Sequence, residues 1–366
     1  MLIWIQLKNC LAEIRRAVVI VQILNLIAPT RAGHRWNYEA NSTYGPNGWK
    51  DFYPDCGGFS QSPINIVDSD AERVTDWPRL EFVNYVQPVP KFEISNTGST
   101  VKLTVPDVTE LRIRGLTMRS WFALRQIHFH WSSVDHLGSE HQIDGITYPL
   151  EIHLVHQALT QNKEDYEYTV LALLCEVSEV ENDFLAVVLS YFADIQYKKE
   201  TTTIEEFLNV SQLVPPQSTS YYQYLGSFTT PPCTEAVSFI VFTAPSCTVS
   251  DYQLNLFRAV YQSHRRMRHK HLLTNFRPIQ PLNDRTVYRV DPSYASKSQG
   301  SYTEGNGMTS SDEYYYSESD RDDDEYDIDS SVERGRRKSI SGVNRPATFK
   351  KLVAFQVAIV LMIIVL

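Results

Sequence analysis

The sequence has few cysteines, no long hydrophobic run and no internal repeat. There are five cysteines in 366 residues, and Cys10 falls within the N-terminal segment that is expected to be removed as a secretory signal. The mostly apolar runs at 17–28 and 352–366 are shorter than the roughly 20 residues that span a bilayer. No basic stripe with interleaved aromatic residues stands out, which argues against nucleic acid as a partner.

The formal net charge of −9 is concentrated in one segment. Residues 304–329 carry eleven acidic side chains against the single Arg321, so the rest of the chain is close to neutral. The composition of 293–351 predicts an acidic, Ser- and Tyr-rich disordered stalk. Its carboxylates could concentrate calcium, although a solvated spacer is the simplest interpretation. We expect one catalytic domain at 33–292, because sheet-rich single domains reach about 250 residues.

Three histidines form the most informative pattern. His128 and His130 lie in Gln-Ile-His-Phe-His-Trp, and His153 lies in Leu-Glu-Ile-His. Side chains alternate faces along a strand, so His128 and His130 project the same way, and an imidazole from another strand would complete the site. Three histidine ligands leave the fourth position of a zinc ion open for water, as catalysis requires. The pattern predicts a catalytic zinc site.

Gln126 and Glu151 each lie two residues before one of these histidines. On the same strand face, each can accept the outward ring N–H of its histidine and so fix the tautomer of the ring. Three other histidines lack such neighbours. His136, His141 and His156 are interpreted as structural or surface residues.

Runs of β-branched and aromatic residues with period-two character predict a chain composed mainly of strands. The predicted strands are 102–105, 125–131, 150–156, 169–177 and 237–243. Helical periodicity marks 184–192 and 250–261, with Ser250 as the N-cap of the second helix. We expect a mainly β fold with short peripheral helices and a large, twisted, mostly antiparallel central sheet.

Six separated blocks give the chain a family resemblance. They are Trp36 with Tyr38, Gln-Ser-Pro-Ile-Asn-Ile at 61–66, Gln-Ile-His-Phe-His-Trp at 126–131, Gly-Ser-Glu-His at 138–141, Glu-Ile-His-Leu-Val-His at 151–156, and Gly-Ser-Phe-Thr-Thr-Pro-Pro-Cys at 226–233. Over roughly 34–290 the chain resembles the alpha-class carbonic anhydrases of secreted or membrane-anchored type.

The resemblance implies Zn²⁺ on His128, His130 and His153 and the reversible hydration of carbon dioxide to bicarbonate and a proton. Zinc-bound hydroxide would be the nucleophile. In this family, zinc lowers the pKa of its bound water to about 7, so hydroxide is present at neutral pH. Sulfonamides are the implied inhibitors. Thr229 would donate its hydroxyl proton to Glu140 and accept one from the hydroxide.

Further positions match the family less closely. The implied carbon dioxide pocket is lined by Val155, Val170, Phe228, Thr230 and Phe239. Phe239 falls where most members carry tryptophan, and Phe228 falls where leucine is usual.

Ser99 departs from the family pattern in a way that matters for rate. Fast members carry a histidine at this position to relay the proton to buffer, because imidazole titrates near neutrality. Serine cannot relay a proton at neutral pH, so we expect slower proton transfer unless His34 or Tyr38 takes over this role. The resemblance also implies a catalytic role for Tyr38, beside Thr229 and Glu140. Lys102, where asparagine is common, adds a cation near the cavity floor.

Both ends of the chain show targeting patterns. Arg15 and Arg16 before the apolar run fit a secretory signal, expected at 1–32. The hydrophobic 352–366 follows a polar spacer and small residues, which is the order of a glycosylphosphatidylinositol signal. Ser341, Ser339 and Gly342 are the candidate attachment sites. The predicted location is the extracellular face of the plasma membrane, with plain secretion or a short transmembrane anchor as alternatives.

Sequons at Asn41 and Asn209 are consistent with export. The resemblance pairs Cys56 with Cys233 in a disulfide, whereas Cys175 is expected to be a buried free thiol and Cys247 is left unassigned.

A second function class stays open, namely a non-catalytic extracellular binding or adhesion module on the same scaffold. Such modules typically lose a zinc ligand, and none is lost here.

Overall fold

The computed structural model describes residues 36–106, 110–160, 166–216 and 219–291. The expected signal segment, His34, the acidic stalk with any calcium site, and the terminal segment with Ser341 lie outside these residues. In the described part of the chain, the helices are all too short or too polar to cross a bilayer.

Strands dominate the described residues, as predicted. The strands are β1 Asn65–Ile66, β2 Glu72–Val74, β3 Glu81–Val83, β4 Glu93–Asn96, β5 Val101–Thr104, β6 Arg112–Arg114, β7 Phe122–Trp131, β8 Gln142–Ile143, β9 Leu150–Ala158, β10 Tyr168–Ser178, β11 Thr201–Thr203, β12 Tyr221–Gly226, β13 Val237–Phe242, β14 Cys247–Ser250 and β15 Tyr288–Val290. The α-helices are α1 Trp49–Phe52, α2 Asp183–Ser190 and α3 Asp251–Ala259.

One large sheet organises the fold. Within the described residues its strands run in the order β11-β4-β5-β7-β9-β10-β13-β12-β15-β2, with β14, β3 and β6 joined at its sides. Most neighbours are antiparallel, and the parallel pairs are β10 with β13, β10 with β14, and β15 with β2. The predicted mainly β fold with a mostly antiparallel central sheet and short helices is confirmed.

The two faces of β7 and β9 are buried against different groups. Ile127 and Phe129 on β7, and Ile152 and Leu154 on β9, point into the main hydrophobic core, together with residues of α2 and α3. Because side chains alternate, the histidines of both strands lie on the other face. A smaller apolar cluster that includes Val155 packs on that face. The face of the sheet opposite the histidines is thus packed against the main hydrophobic core, which holds β7 and β9 in place.

Strand β7 begins three residues before the predicted start at 125. The ladder between β7 and β9 shifts register between Leu124 and Gln126, which is a bulge at Arg125. Regular period-two alternation therefore begins only after the bulge, and the sequence pattern detected that part alone.

Helix α3 begins as predicted at its N-cap. The Ser250 hydroxyl accepts from the Gln253 N–H, and the Gln253 side chain accepts from the Ser250 N–H, which forms a capping box. The helix ends at Ala259 rather than 261, because Val260 is extended and Tyr261 pairs with His271 in a β-bridge.

Two disulfides are present in the described residues. Cys56 and Cys233 are bonded, with Cα atoms 4.8 Å apart. The expected free thiol at Cys175 is wrong, because Cys175 is bonded to Cys247. These two cysteines are register partners in the parallel pair of β10 and β14, which brings their Cα atoms to 4.3 Å.

Candidate metal centre

The three predicted ligands converge at the centre of the sheet. His128 and His130 come from β7 and His153 from β9, where His153 is the register partner of His128. One ring nitrogen from each lies within 4.8 Å of the others. His128 Nε2 and His153 Nδ1 are 3.2 Å apart. This is the facing arrangement that the strand alternation predicts.

Burial keeps the three imidazoles neutral. Desolvation lowers the pKa of His128 and His153, and it lowers the pKa of His130 to about 3. The neighbouring histidines lower the pKa of His128 and His130 further, because like charges repel. Neutral rings offer the lone pairs that a metal ion requires.

Each ligand histidine has its outward nitrogen bound to an acceptor. His128 Nδ1 donates to Gln126 Oε1 at 3.0 Å, and His153 Nε2 donates to Glu151 Oε1 at 2.6 Å. His130 Nδ1 donates to the backbone carbonyl of Asn275 at 2.9 Å. The inward nitrogens are therefore acceptors.

The inward nitrogen of His130 fits a metal ion for a further reason. Among the described residues, His130 Nε2 is buried without a hydrogen-bond partner. A buried lone pair without a partner is costly, and coordination of a metal ion would satisfy it. The donor set, three neutral imidazoles with no thiolate, matches a catalytic rather than a structural zinc.

A second group of potential ligands, His141 with Glu151 and His153, is a hydrogen-bonded network instead. His141 Nδ1 and His153 Nε2 both lie 2.6 Å from Glu151 Oε1, which leaves no space for an ion between them. Burial alone would raise the pKa of Glu151, but His141 and His153 hold it well below the usual value. The buried carboxylate is thus ionised.

Glu151 also fixes the backbone of the adjacent loop. Its Oε2 accepts from the N–H groups of Glu140 and His141, at 2.7 and 2.8 Å. His141 is buried between Glu151 and the Tyr224 hydroxyl, which lies 2.7 Å from its Nε2. The sequence interpretation of His141 as a structural residue overlooked this contact, because the pattern shows spacing along one strand only.

Glu140 and Thr229 are in contact, as the family pattern implies. The Thr229 hydroxyl lies close enough to the Glu140 carboxyl group to lower its pKa. Glu140 Oε1 also accepts from the Arg277 N–H at 2.9 Å, and its Oε2 lies 3.3 Å from His130 Nε2. Burial raises the pKa of Glu140 well above its usual value, while Thr229 and Arg277 oppose that shift.

Asn275 and Arg277 were missed at the sequence level. Asn275 binds His130 through its carbonyl, and Arg277 is buried with its guanidinium bound to Gln61 Oε1 and to the Ser62 and Cys56 carbonyls. Both lie in a segment without regular secondary structure, where no periodic pattern marks them. Their partners are more than 100 residues distant in sequence.

The comparisons with known proteins agree with this geometry. A family model described as eukaryotic-type carbonic anhydrase matches residues 44–291. The chain is 31% identical to carbonic anhydrase 6 of Bos taurus over 300 residues, which cover 79% of this chain and 90% of the relative. It is 32% identical to carbonic anhydrase 12 of Homo sapiens over 269 residues, covering 70% and 73%.

A further relative is the putative carbonic anhydrase 3 of Caenorhabditis elegans, 35% identical over 263 residues that cover 70% of this chain and 98% of the relative. The chain belongs to the carbonic anhydrase family. It is accordingly an enzyme of the carbonate dehydratase class, a lyase, and the cofactor of the alpha-class carbonic anhydrases is zinc.

An apolar wall crosses three strands beside His153 in this carbonic anhydrase. Val155 is the register partner of Val170, and Val170 is the register partner of Phe239. The Phe239 ring lies 5.7 Å from the His153 ring. Phe228 packs against the same cluster. These predicted pocket residues are therefore adjacent.

The loop that carries Thr229 and the half-buried Thr230 is stabilised by hydrogen bonds of its backbone and by the Cys56–Cys233 disulfide. The Cys233 N–H donates to the Thr230 carbonyl at 2.9 Å, and the Cys233 carbonyl accepts from Gln61 Nε2 at 3.2 Å. The bond to Cys56 joins this loop to the N-terminal segment of the domain.

Ser99 lies half-buried after β4, where its carbonyl accepts from Asn275 Nδ2 at 3.1 Å. Tyr38 packs against Trp36 and Trp49 with edge contacts, and burial raises its pKa well above the usual value.

Of the two sequon asparagines, Asn41 is exposed. The Asn209 side chain caps a short turn by accepting from the Ser211 N–H at 3.0 Å.

Proposed function

We propose that this carbonic anhydrase hydrates carbon dioxide reversibly at a zinc ion held by His128, His130 and His153. The observation that carries the proposal is the convergence of three neutral imidazoles, two buried and His128 half-buried. Among the described residues, His130 Nε2 has no hydrogen-bond partner. When bound, zinc polarises water so that it ionises near neutral pH and can attack carbon dioxide.

Thr229 and Glu140 would orient the attacking group. The Glu140 carboxyl group is fixed by the Arg277 N–H, and Thr229 lies beside it. If the Thr229 hydroxyl donates its hydrogen bond to Glu140, the Thr229 oxygen has no proton left to donate. It can then only accept a hydrogen bond from a group in the cavity. It therefore selects a group that carries a proton, such as water or hydroxide, and holds a lone pair toward the substrate carbon.

The wall of Val155, Val170 and Phe239 would receive carbon dioxide. The molecule has no net charge, so an apolar surface beside the metal binds it without competition from strong hydrogen bonds. Phe228 and Thr230 are proposed to complete the pocket at its loop side.

Proton release is proposed to be the slow step. Ser99 offers no group that titrates near neutrality, and Tyr38 is a poor substitute because burial raises its pKa further above the physiological range. The proton would then pass from the site directly to external buffer, so turnover would depend steeply on buffer concentration.

An extracellular location is supported by the disulfides. Cys56–Cys233 and Cys175–Cys247 both require an oxidising compartment to form and persist. The exposed sequon at Asn41 is compatible with passage through the secretory pathway. We propose anchoring by a glycosylphosphatidylinositol group near Ser341, to be tested by release from cells with a phosphatidylinositol-specific phospholipase.

The decisive experiment combines metal analysis with stopped-flow hydration on the full-length protein. We expect one zinc per chain and a hydration rate that a sulfonamide inhibits and a chelator abolishes. His130→Ala should lose both zinc and activity, whereas His136→Ala, at an exposed histidine, should retain both. Zinc binding without hydration would instead favour the non-catalytic module.

A further inference from the structure

A strongly basic segment lies outside the metal centre. In the run 264–271, seven of eight side chains are Arg, Lys or His, and Met267 is the exception. We call residues 262–271 the basic loop. The overall charge balance of the chain conceals this segment, because acidic residues elsewhere offset it.

The basic loop forms one side of a groove of about 1000 Å³. Lys198 and Lys199 contribute to the lining from the turn before β11. The single acidic side chain among the lining residues in the described structure is Glu39, and it is already paired with Lys270. The groove therefore presents an excess of positive charge.

Three of the lining cations are available to a ligand. Lys198, Lys199 and Arg268 form no ion pair within the described ranges of the chain. Arg265, by contrast, binds Glu200 at 2.8 Å. Lys198 lies over Gly98, where its Cδ is 2.4 Å from the position that a Cβ would take, so a side chain at position 98 would displace the lysine.

The groove is also preorganised. Tyr197 and Tyr261 stack with centroids 4.8 Å apart and planes at 8°, and the His269 ring packs within 5.0 Å of both. The Gln262 N–H donates to the Lys270 carbonyl at 2.8 Å, which closes the basic loop. A loop whose backbone is fixed in this way loses less entropy on binding than a flexible loop.

We propose that this groove binds a sulfated polysaccharide. An open groove with unpaired cations suits an extended polyanion, and clusters of Lys and Arg are the known signature of such binding. The two disulfides indicate an oxidising compartment, where sulfated polysaccharides rather than nucleic acids are the abundant polyanions. The groove lining also includes Ser99 and Tyr38, so one edge of the groove borders the proposed route of proton release.

The test measures the affinity of the full-length protein for immobilised heparin by surface plasmon resonance across a salt series. Lys199→Gln/Arg268→Gln should bind about tenfold more weakly, and its slope of log affinity against log salt should fall by about 2, as expected for two lost charge contacts. The control Lys91→Gln/Arg125→Gln removes two exposed cations that do not line the groove and should bind like wild type.

Lys199→Arg/Arg268→Lys should retain binding, which separates loss of charge from loss of structure. Hydration activity should be unchanged in all variants, since none of these side chains lies at the metal centre. The proposal is overturned if the groove variant binds heparin as tightly as wild type or if the control weakens equally. It is likewise overturned if duplex DNA of equal charge competes as well as heparin.

Discussion

Lys102 lies directly opposite His128 in the antiparallel pair of β5 and β7. Register partners share one face of the sheet, so the ammonium group projects from the same face as a proposed metal ligand. Its positive charge contributes to the lowered pKa of His128, after burial and the neighbouring histidines. The metal centre therefore has a permanent cation beside it.

Lys102→Asn should weaken inhibition by anions. The lysine attracts any anion that approaches the metal, and a partly exposed charge pair contributes about 1 kcal/mol, so the inhibition constant of thiocyanate should rise roughly fivefold. Stopped-flow hydration with increasing thiocyanate measures it. Lys91→Asn, at an exposed residue before β4, serves as the control. Equal inhibition constants in wild type and Lys102→Asn would contradict the expectation.

Ser99→His should raise turnover in weak buffer. A histidine at the cavity rim can carry the proton, and such transfer contributes about 100-fold or more in favourable geometry. We expect an increase of about tenfold or more in kcat at low buffer, with kcat/KM unchanged. Ser99→Ala controls for the loss of the serine. Turnover of Ser99→His that stays at the wild-type value would show that proton release is limited elsewhere.

Thr229→Val should lower kcat/KM for hydration about 100-fold without releasing zinc. Valine keeps the shape of threonine but cannot donate to Glu140 or accept from the attacking group. Thr229→Ser restores the hydroxyl and should recover most of the activity. If the valine variant is fully active, Thr229 does not orient the nucleophile.

Asp68 should stabilise the fold in a pH-dependent manner. A hydrogen bond from the Tyr222 hydroxyl at 2.6 Å, aided by Arg289, lowers the pKa of Asp68 below its ordinary value. A lowered folded-state pKa stabilises the protein above the unfolded pKa of about 4, and this contribution is lost as the pH falls through the folded value.

Asp68→Asn should accordingly lower the melting temperature at pH 7, and the difference from wild type should shrink below about pH 4. Thermal melts at several pH values measure this. Asp70→Asn changes an exposed carboxylate two residues away and should have little effect. A difference between wild type and Asp68→Asn that is constant from pH 7 to pH 3 would rule out the linkage.

The parts of the fold that sequence predicted are those set by local alternation. The period-two pattern located the strands of His128 and His153, and the placement of Gln126 and Glu151 beside their rings follows from the same geometry. The N-cap Ser250 was likewise a local feature. Each of these depends on residues only a few positions apart.

The parts that sequence did not predict depend on distant segments. The pairing of Cys175 with Cys247 follows from two strands that meet only in the folded sheet. Asn275 and Arg277 reach the site from a stretch without regular structure, so no periodicity identified them. The basic run at 264–271 is a local feature that the sequence analysis overlooked, whereas its approach to Lys198 depends on folding.

Glu151 accepts four hydrogen bonds, from the His153 and His141 rings and from the N–H groups of Glu140 and His141. One carboxylate thereby couples the third ligand to the loop that carries the partner of Thr229. Affinity for the ion and alignment of the nucleophile therefore cannot be tuned separately by changes at this position. In any descendant of this chain, replacement of Glu151 would degrade both properties in a single mutational step.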